Sequence, residues 1–116
     1  MKRLTESDCQ RVLVVAAKRG GWLVHHSRPS LNVSGKWSTA VQGHVGFCDL
    51  VLAHPVRGLV FAELKRKPGK LTAMQLRWIG VLNEGPTVSA LGDVAQVWWM
   101  PEELEERVKW LMEEPA

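Results

Sequence analysis

The sequence predicts one α+β (α/β) domain with a central mixed sheet flanked by helices, and three observations predict it. The chain has 116 residues, 46% hydrophobic and 23% charged, which is globular composition and excludes a disordered chain, a coiled coil or a collagen-like repeat. Apolar residues recur at helical spacing behind capping signals at Thr5 and Thr72. Two apolar runs, Asp49 to Ala53 and Leu59 to Lys65, flank a connection of hairpin length and make the centre of a sheet. At this length a single domain, 1–116, must carry everything.

In chain order, Thr5-Glu6-Ser7-Asp8 opens the first helix, Cys9, Val12, Leu13, Ala16 and Ala17 supply its apolar face, and Gly20-Gly21 ends it. Trp22 to His26 reads as a strand. Arg28 to Val45 is polar and rich in Ser and Gly, hence a loop, and its Trp37 has no evident place in a core. After the two central strands, Pro68-Gly69 breaks the chain, and Thr72-Ala73-Met74-Gln75 starts a helix carrying Trp78, Val81 and Leu82 up to Gly85-Pro86. Val88 to Leu91 and Val94 to Trp99 are candidate strands. Pro101 suits the first turn of a last helix, Glu102 to Met112, whose early glutamates favour its dipole.

No apolar run reaches the ~20 residues of a membrane span and no signal-like segment opens the chain, so a cytoplasmic protein is expected. Cys9 and Cys48 lack any CxxC spacing and read as buried thiols of a reducing compartment. The net charge of +3 hides an asymmetry: residues 101–116 hold six Glu against Arg107 and Lys109, which leaves 13 basic and 6 acidic residues over 1–100. The basic excess is densest at Lys65, Arg66, Lys67 and Lys70. A one-sided positive surface suits a polyanion, nucleic acid above all, although a solvated basic loop would look the same.

The informative constellation is Asp49 with Glu63-Leu64-Lys65. Antiparallel pairing around the connection sets Ala53 opposite Leu59, Val51 opposite Phe61, and hence Asp49 opposite Glu63, on one face. Two carboxylates so placed repel unless a hard divalent cation neutralises them. Lys65 shares that face by strand alternation and could orient or deprotonate a water, or stabilise charge on a phosphate. The alternative is an exposed Glu63–Lys65 pair worth a few tenths of a kcal/mol. The apolar residues on both faces speak against it, because unpaired charge in a buried strand is costly.

These residues resemble the motifs of the VRR-NUC family, a compact branch of the PD-(D/E)XK nucleases. The resemblance lies in Gly46-Phe47-Cys48-Asp49-Leu50, Phe61-Ala62-Glu63-Leu64-Lys65, Gly69-Lys70-Leu71-Thr72 and Gln75-Leu76-Arg77-Trp78. It extends to Glu6 and Gln10, to Gly21-Trp22 and to Trp99-Met100-Pro101, nearly the whole chain. It implies a restriction-endonuclease-like αβββαβ core and magnesium-dependent cleavage of DNA, with Mn2+ able to replace Mg2+. Small stand-alone members of the family are often phage proteins that resolve Holliday junctions as homodimers, which would place this chain in a host cytoplasm. By the same resemblance Asp49, Glu63, the Leu64 carbonyl and Glu6 would hold the metal, Lys65 would act on the water, and Gln75 would lean toward the site. Gln75 could equally cap its helix with Thr72, or do both, and Glu6 could simply serve the helix dipole. Cys48 stands where the family usually has proline, and Met100 where arginine is common.

Arg66, Lys67 and Lys70, with Arg28, Lys36, Trp37 and His44, are the candidate DNA contacts, Trp37 by stacking on a displaced base. His25 and His26 alternate across a strand, one toward the sheet interior and one toward the groove side, and His54 at the hairpin turn should be solvated. Of six Trp, Trp22, Trp78 and one of Trp98 and Trp99 serve the core or a subunit face, with Trp110 on the last helix.

Overall fold

Helix α1 (Glu6–Arg19) starts where the capping signal stands: the Thr5 hydroxyl accepts from the Asp8 amide at 3.0 Å, and the Asp8 carboxylate accepts from the Thr5 amide at 2.9 Å. The computed structural model describes residues 4–26, 30–31, 37–38, 43–85 and 92–114. Strands β1 (Leu23–His26), β2 (Ser30–Leu31), β3 (Trp37–Ser38), β4 (Leu50–His54) and β5 (Gly58–Arg66) follow, then α2 (Ala73–Glu84), β6 (Ala95–Met100) and α3 (Leu104–Met112). Four strands form one mixed sheet in the order β1-β4-β5-β6, with β1, β4 and β5 antiparallel and β6 parallel to β5. The α+β class and the αβββαβ order with a C-terminal helix are therefore present. Among the described residues no helix is long and apolar enough to cross a membrane.

The β4–β5 register pairs Ala53 with Leu59 and Val51 with Phe61, as the hairpin spacing demands, and ends at Leu50 opposite Ala62. Strand alternation then sorts the sheet into two faces. Leu50, Leu52, Val60, Ala62, Leu64, Trp98 and Met100 point to one face and are buried under Cys9, Leu13, Ala16 and Ala17 of α1 and Leu111 of α3. Each large aliphatic side chain among them contributes about 1.5–3 kcal/mol by leaving water. The odd-numbered residues of β5, including Phe61, Glu63 and Lys65, face the other side, where α2 lies.

Helix α2 has no buried residue, and Leu76 and Val81 stay more than half exposed. It is held by polar and aromatic contacts. Asn83 exchanges two hydrogen bonds with the Ala95 backbone, at 2.8 and 3.0 Å. The Phe47 ring stands edge-on to both Phe61 and Trp78, at 5.8 and 4.9 Å, and the Trp78 indole donates to the Val45 carbonyl. Gly46 lets this loop reach the helix. Its φ of +91° is a left-handed conformation, and a Cβ there would lie 2.8 Å from that of Met74.

Three expectations are corrected. The loop expected over 28–45 contains a short antiparallel ribbon, Ser30 paired with Ser38 and Leu31 with Trp37. The last helix begins at Leu104, not Glu102, because residues 101–103 form a turn tied back to β6: the Glu103 carboxylate accepts from the Trp99 amide at 2.8 Å and pairs with Arg107 at 2.9 Å. His54 is not merely solvated. Its Nδ1 accepts from the amides of Val56 and Arg57, and its ring packs 5.1 Å from Trp22, so it builds the hairpin turn. The tryptophan expectation holds for the core: Trp22 and, of the Trp98-Trp99 pair, Trp98 are buried, while Trp78, Trp99 and Trp110 are partly so. The strand considered over 88–91 lies outside the described residues.

Candidate functional site

Glu63 sits in the interior of β5, 4% exposed, a position that the strand's apolar neighbours on both faces make dry. Asp49 immediately precedes β4 on the same register line, and its carboxylate accepts from the Leu64 amide at 2.8 Å, which anchors it against β5. From α2, Gln75 does both things considered for it. Its Oε1 accepts from the Thr72 amide while its Nε2 donates to Glu63 Oε1, both at 2.8 Å. The capping bond orients the amide, and the amide in turn fixes the glutamate rotamer.

The remaining oxygen, Glu63 Oε2, is buried with no hydrogen-bond partner. Burial first, and then the neighbouring Asp49 carboxylate, push the Glu63 carboxyl up to about 8, against the pull of Lys65. Burial also raises Asp49, while the Leu64 amide holds it down. Cys48, buried beside them, is pushed up to about 12 by desolvation and by the charges of Glu63 and Asp49. The chain thus concentrates negative potential at one dry spot and leaves an oxygen free there, which a native fold rarely tolerates without a purpose.

A hard divalent cation fits this spot. The donors are oxygens, two are carboxylates crowded enough to disfavour joint ionisation, and the orphaned Oε2 has lone pairs for it. Leu64, whose carbonyl was the expected third ligand, lies between Glu63 and Lys65 on β5. Glu6 opens α1 close enough for its charge to raise both carboxyls. It remains exposed, and among the described residues no three His, Cys, Asp or Glu side chains come together as a metal-holding group. Glu6 is thus an outer acid of the site.

The basic run divides across the sheet. Lys65 and Lys67 share the carboxylate face, and Lys67 Nζ stands 5.9 Å from the centre of the Trp99 ring. Arg66 alternates to the opposite face, where its charge acts on Cys9 of α1. Lys70 is exposed on the segment leading to α2, and His44 is exposed at a cleft that Arg77 of α2 also lines. Arg28 and Lys36 lie outside the described residues, as does the side chain of Trp37. His25 is exposed on the α2 side, opposite Val51, while His26 turns toward the core face.

The residue-level expectations missed two residues that tie elements together, one in this layer and one at the β4–β5 turn. Asn83 looks like an ordinary polar helix residue until its bonds to Ala95 are seen, and the spacing offers no signal for them. Arg57 sits 6% exposed against the indoles of Trp22 and Trp110, on the side of α3, and reads in sequence only as part of a turn. Compared with known proteins, the chain matches no family model, no curated protein and no solved structure.

Proposed function

We propose that this protein is a divalent-cation-dependent endonuclease that hydrolyses phosphodiester bonds in DNA, of the VRR-NUC type. The observation that carries the reading is the buried, unpartnered Glu63 Oε2 beside Asp49, with Lys65 on the same strand face and Gln75 clamping the other glutamate oxygen. Asp49, Glu63 and the Leu64 carbonyl would hold Mg2+, or Mn2+ in its place. When bound, the ion would polarise the scissile phosphate and make its water acidic. Lys65 would position the attacking water and balance charge on the phosphate in the transition state, leaving a 5′-phosphate. Lys67 and Lys70 would hold the flanking backbone. The experiment is a panel of labelled junctions, flaps, nicked duplexes and single strands with Mg2+, Mn2+ and Ca2+. Cleavage with the first two and binding without turnover in Ca2+ is expected, and no cleavage of any substrate would leave a nucleic-acid-binding module instead.

The roles of the two kinds of lysine separate in a direct way. Lys65→Ala should lower kcat by a factor of about 100 or more, the order expected when one charged group stabilising the transition state is removed, with little change in affinity. Lys70→Ala should weaken binding to every DNA shape alike and reduce the salt dependence by ~0.9 log unit, the share of one neutralised phosphate. An unchanged salt slope would remove Lys70 from the DNA surface.

The preferred substrate in this proposal is branched DNA such as a Holliday junction. Paired incision on symmetric strands needs two sites, and one domain of this size holds one, so a homodimer belongs to the proposal. Trp99, the partly buried ring on the opposite sheet face from Trp98, is its candidate contact, with Lys67 Nζ 5.9 Å from the ring centre. Light scattering at micromolar concentration should give a dimer, and Trp99→Ala a folded monomer that nicks without resolving. A wild-type monomer with and without DNA would move the substrate toward flaps or nicked duplex.

A further inference from the structure

The geometry points to a second binding site, a cleft on the flank of α2 that takes one unpaired nucleotide, its base against Trp78 and its phosphate between Arg77 and His44. The inference rests on the nucleic-acid reading above and adds the part of the substrate the carboxylate site does not hold. The cleft measures about 210 Å³ and is lined by His44, Met74, Arg77, Trp78 and Val81. That is below the ~300 Å³ typical of drug-sized ligand sites and suits a single planar ring system.

Its lining has the two chemistries a single-stranded nucleotide requires. Met74, Trp78 and Val81 offer an apolar wall with an indole face, and the indole is oriented by its bond to the Val45 carbonyl and by the edge of Phe47. Arg77 and His44, both exposed, stand at the same cleft and can meet a phosphate. Val81 is 59% exposed on this flank, one turn along α2 from Arg77, and His44 of the loop before β4 lines the same cleft. The cleft is linked to the carboxylate site along the chain in two places. Met74 precedes Gln75, which donates to Glu63, and the loop packed on Met74 at Gly46 leads three residues later to Asp49. A strand running from one site to the other would enter as displaced single strand, which favours substrates with unpaired nucleotides at a branch.

The test needs neither metal nor cleavage. A five-nucleotide thymidine oligomer is titrated into the wild-type protein in EDTA while the Trp78 indole N–H resonance, assigned with Trp78→Phe, is followed by NMR. A saturable shift of that resonance is expected. Arg77→Ala, and Val81→Trp which fills the cleft from an exposed position, should each weaken binding roughly tenfold, as should an oligomer made abasic, the effect expected for one stacked base. No shift, or abasic and thymidine oligomers binding alike, would overturn the subsite. So would a Val81→Glu variant that converts a dimer to a monomer, because a second copy would then cover the cleft. A normal response without cleavage in Mg2+ would sink the nuclease and leave the subsite, whereas cleavage with no response would do the reverse.

Discussion

Glu63→Gln is expected to abolish cleavage and, in the same protein, to raise stability at pH 8 when divalent cations are absent. The loss of activity should be ~10³-fold or more, because a metal's transition-state stabilisation is worth several kcal/mol and the substituted amide cannot hold the ion as a carboxylate does. The gain in stability follows from the folded-state titration. The Glu63 carboxyl lies at about 8 in the native protein, against an ordinary value of 4.5, because it is buried next to Asp49. The native state therefore binds more protons than the unfolded chain between those two values, and stability falls as pH rises across that window. It is greatest below 4.5 and the loss is complete above about 8. The penalty at pH 8 is of order a few kcal/mol for this group. Glutamine fills the same space, can keep the Gln75 contact and carries no charge to desolvate. Urea melts in EDTA at pH 5.5 and 8 should show a steep loss for wild type and a shallow one for the variant. Adding Mg2+ at pH 8 should stabilise wild type and not Glu63→Gln. A variant that cleaves at wild-type rate, or one with the same pH slope as wild type, would remove Glu63 from the metal site.

Arg57→Ala should be the most destabilising single change outside the aliphatic core. The guanidinium is buried beside the packed pair of Trp22 and Trp110, 5.1 and 4.4 Å from their ring centres, which lie 5.5 Å from each other. Its Nη1 donates to the carbonyls of Trp110, Leu111 and Glu113, the unsatisfied end of α3, and the Trp22 indole donates to the same Leu111 carbonyl at 2.9 Å. One side chain thus fastens the β4–β5 turn to the last helix, and burial lowers its proton affinity against the pull of Glu113. Alanine would remove the charged donor from these carbonyls, leaving Leu111 only the Trp22 indole and Trp110 only the long bond from the Glu113 amide, and would open a gap beside the two indoles. The expected cost is roughly 3 kcal/mol, a fall in Tm of about 10 °C or more. Arg57→Lys should recover part of it, since an ammonium can reach one carbonyl but cannot pack a planar face against the rings. A thermal melt within about 2 °C of wild type for Arg57→Ala would show that α3 docks without this clamp.

Local patterns carried much of the fold. Both capping boxes, the β4–β5 register and the nearness of Asp49 to Glu63 were legible because each depends on neighbours three residues apart or on one short connection. The separation of core and site faces also follows from alternation alone, and alternation is enough to put Lys65 beside Glu63. Remote segments are another matter. Gln75 could be read as a cap or as a site residue, and only the approach of α2 to β5 makes it both. Whether Glu63 is a solvated partner of Lys65 or a dry carboxylate with a free oxygen depends on burial, which spacing does not specify. Arg57 has no periodicity to betray it, since its partners lie more than fifty residues away in α3. The order of the amino acids is enough to say which side chains share a strand or helix face, through the 2.0 and 3.6 residue periods of the backbone. Which faces meet, and which polar groups lose their water, emerge only in the packed chain, because both are set by long-range contacts that no local period encodes.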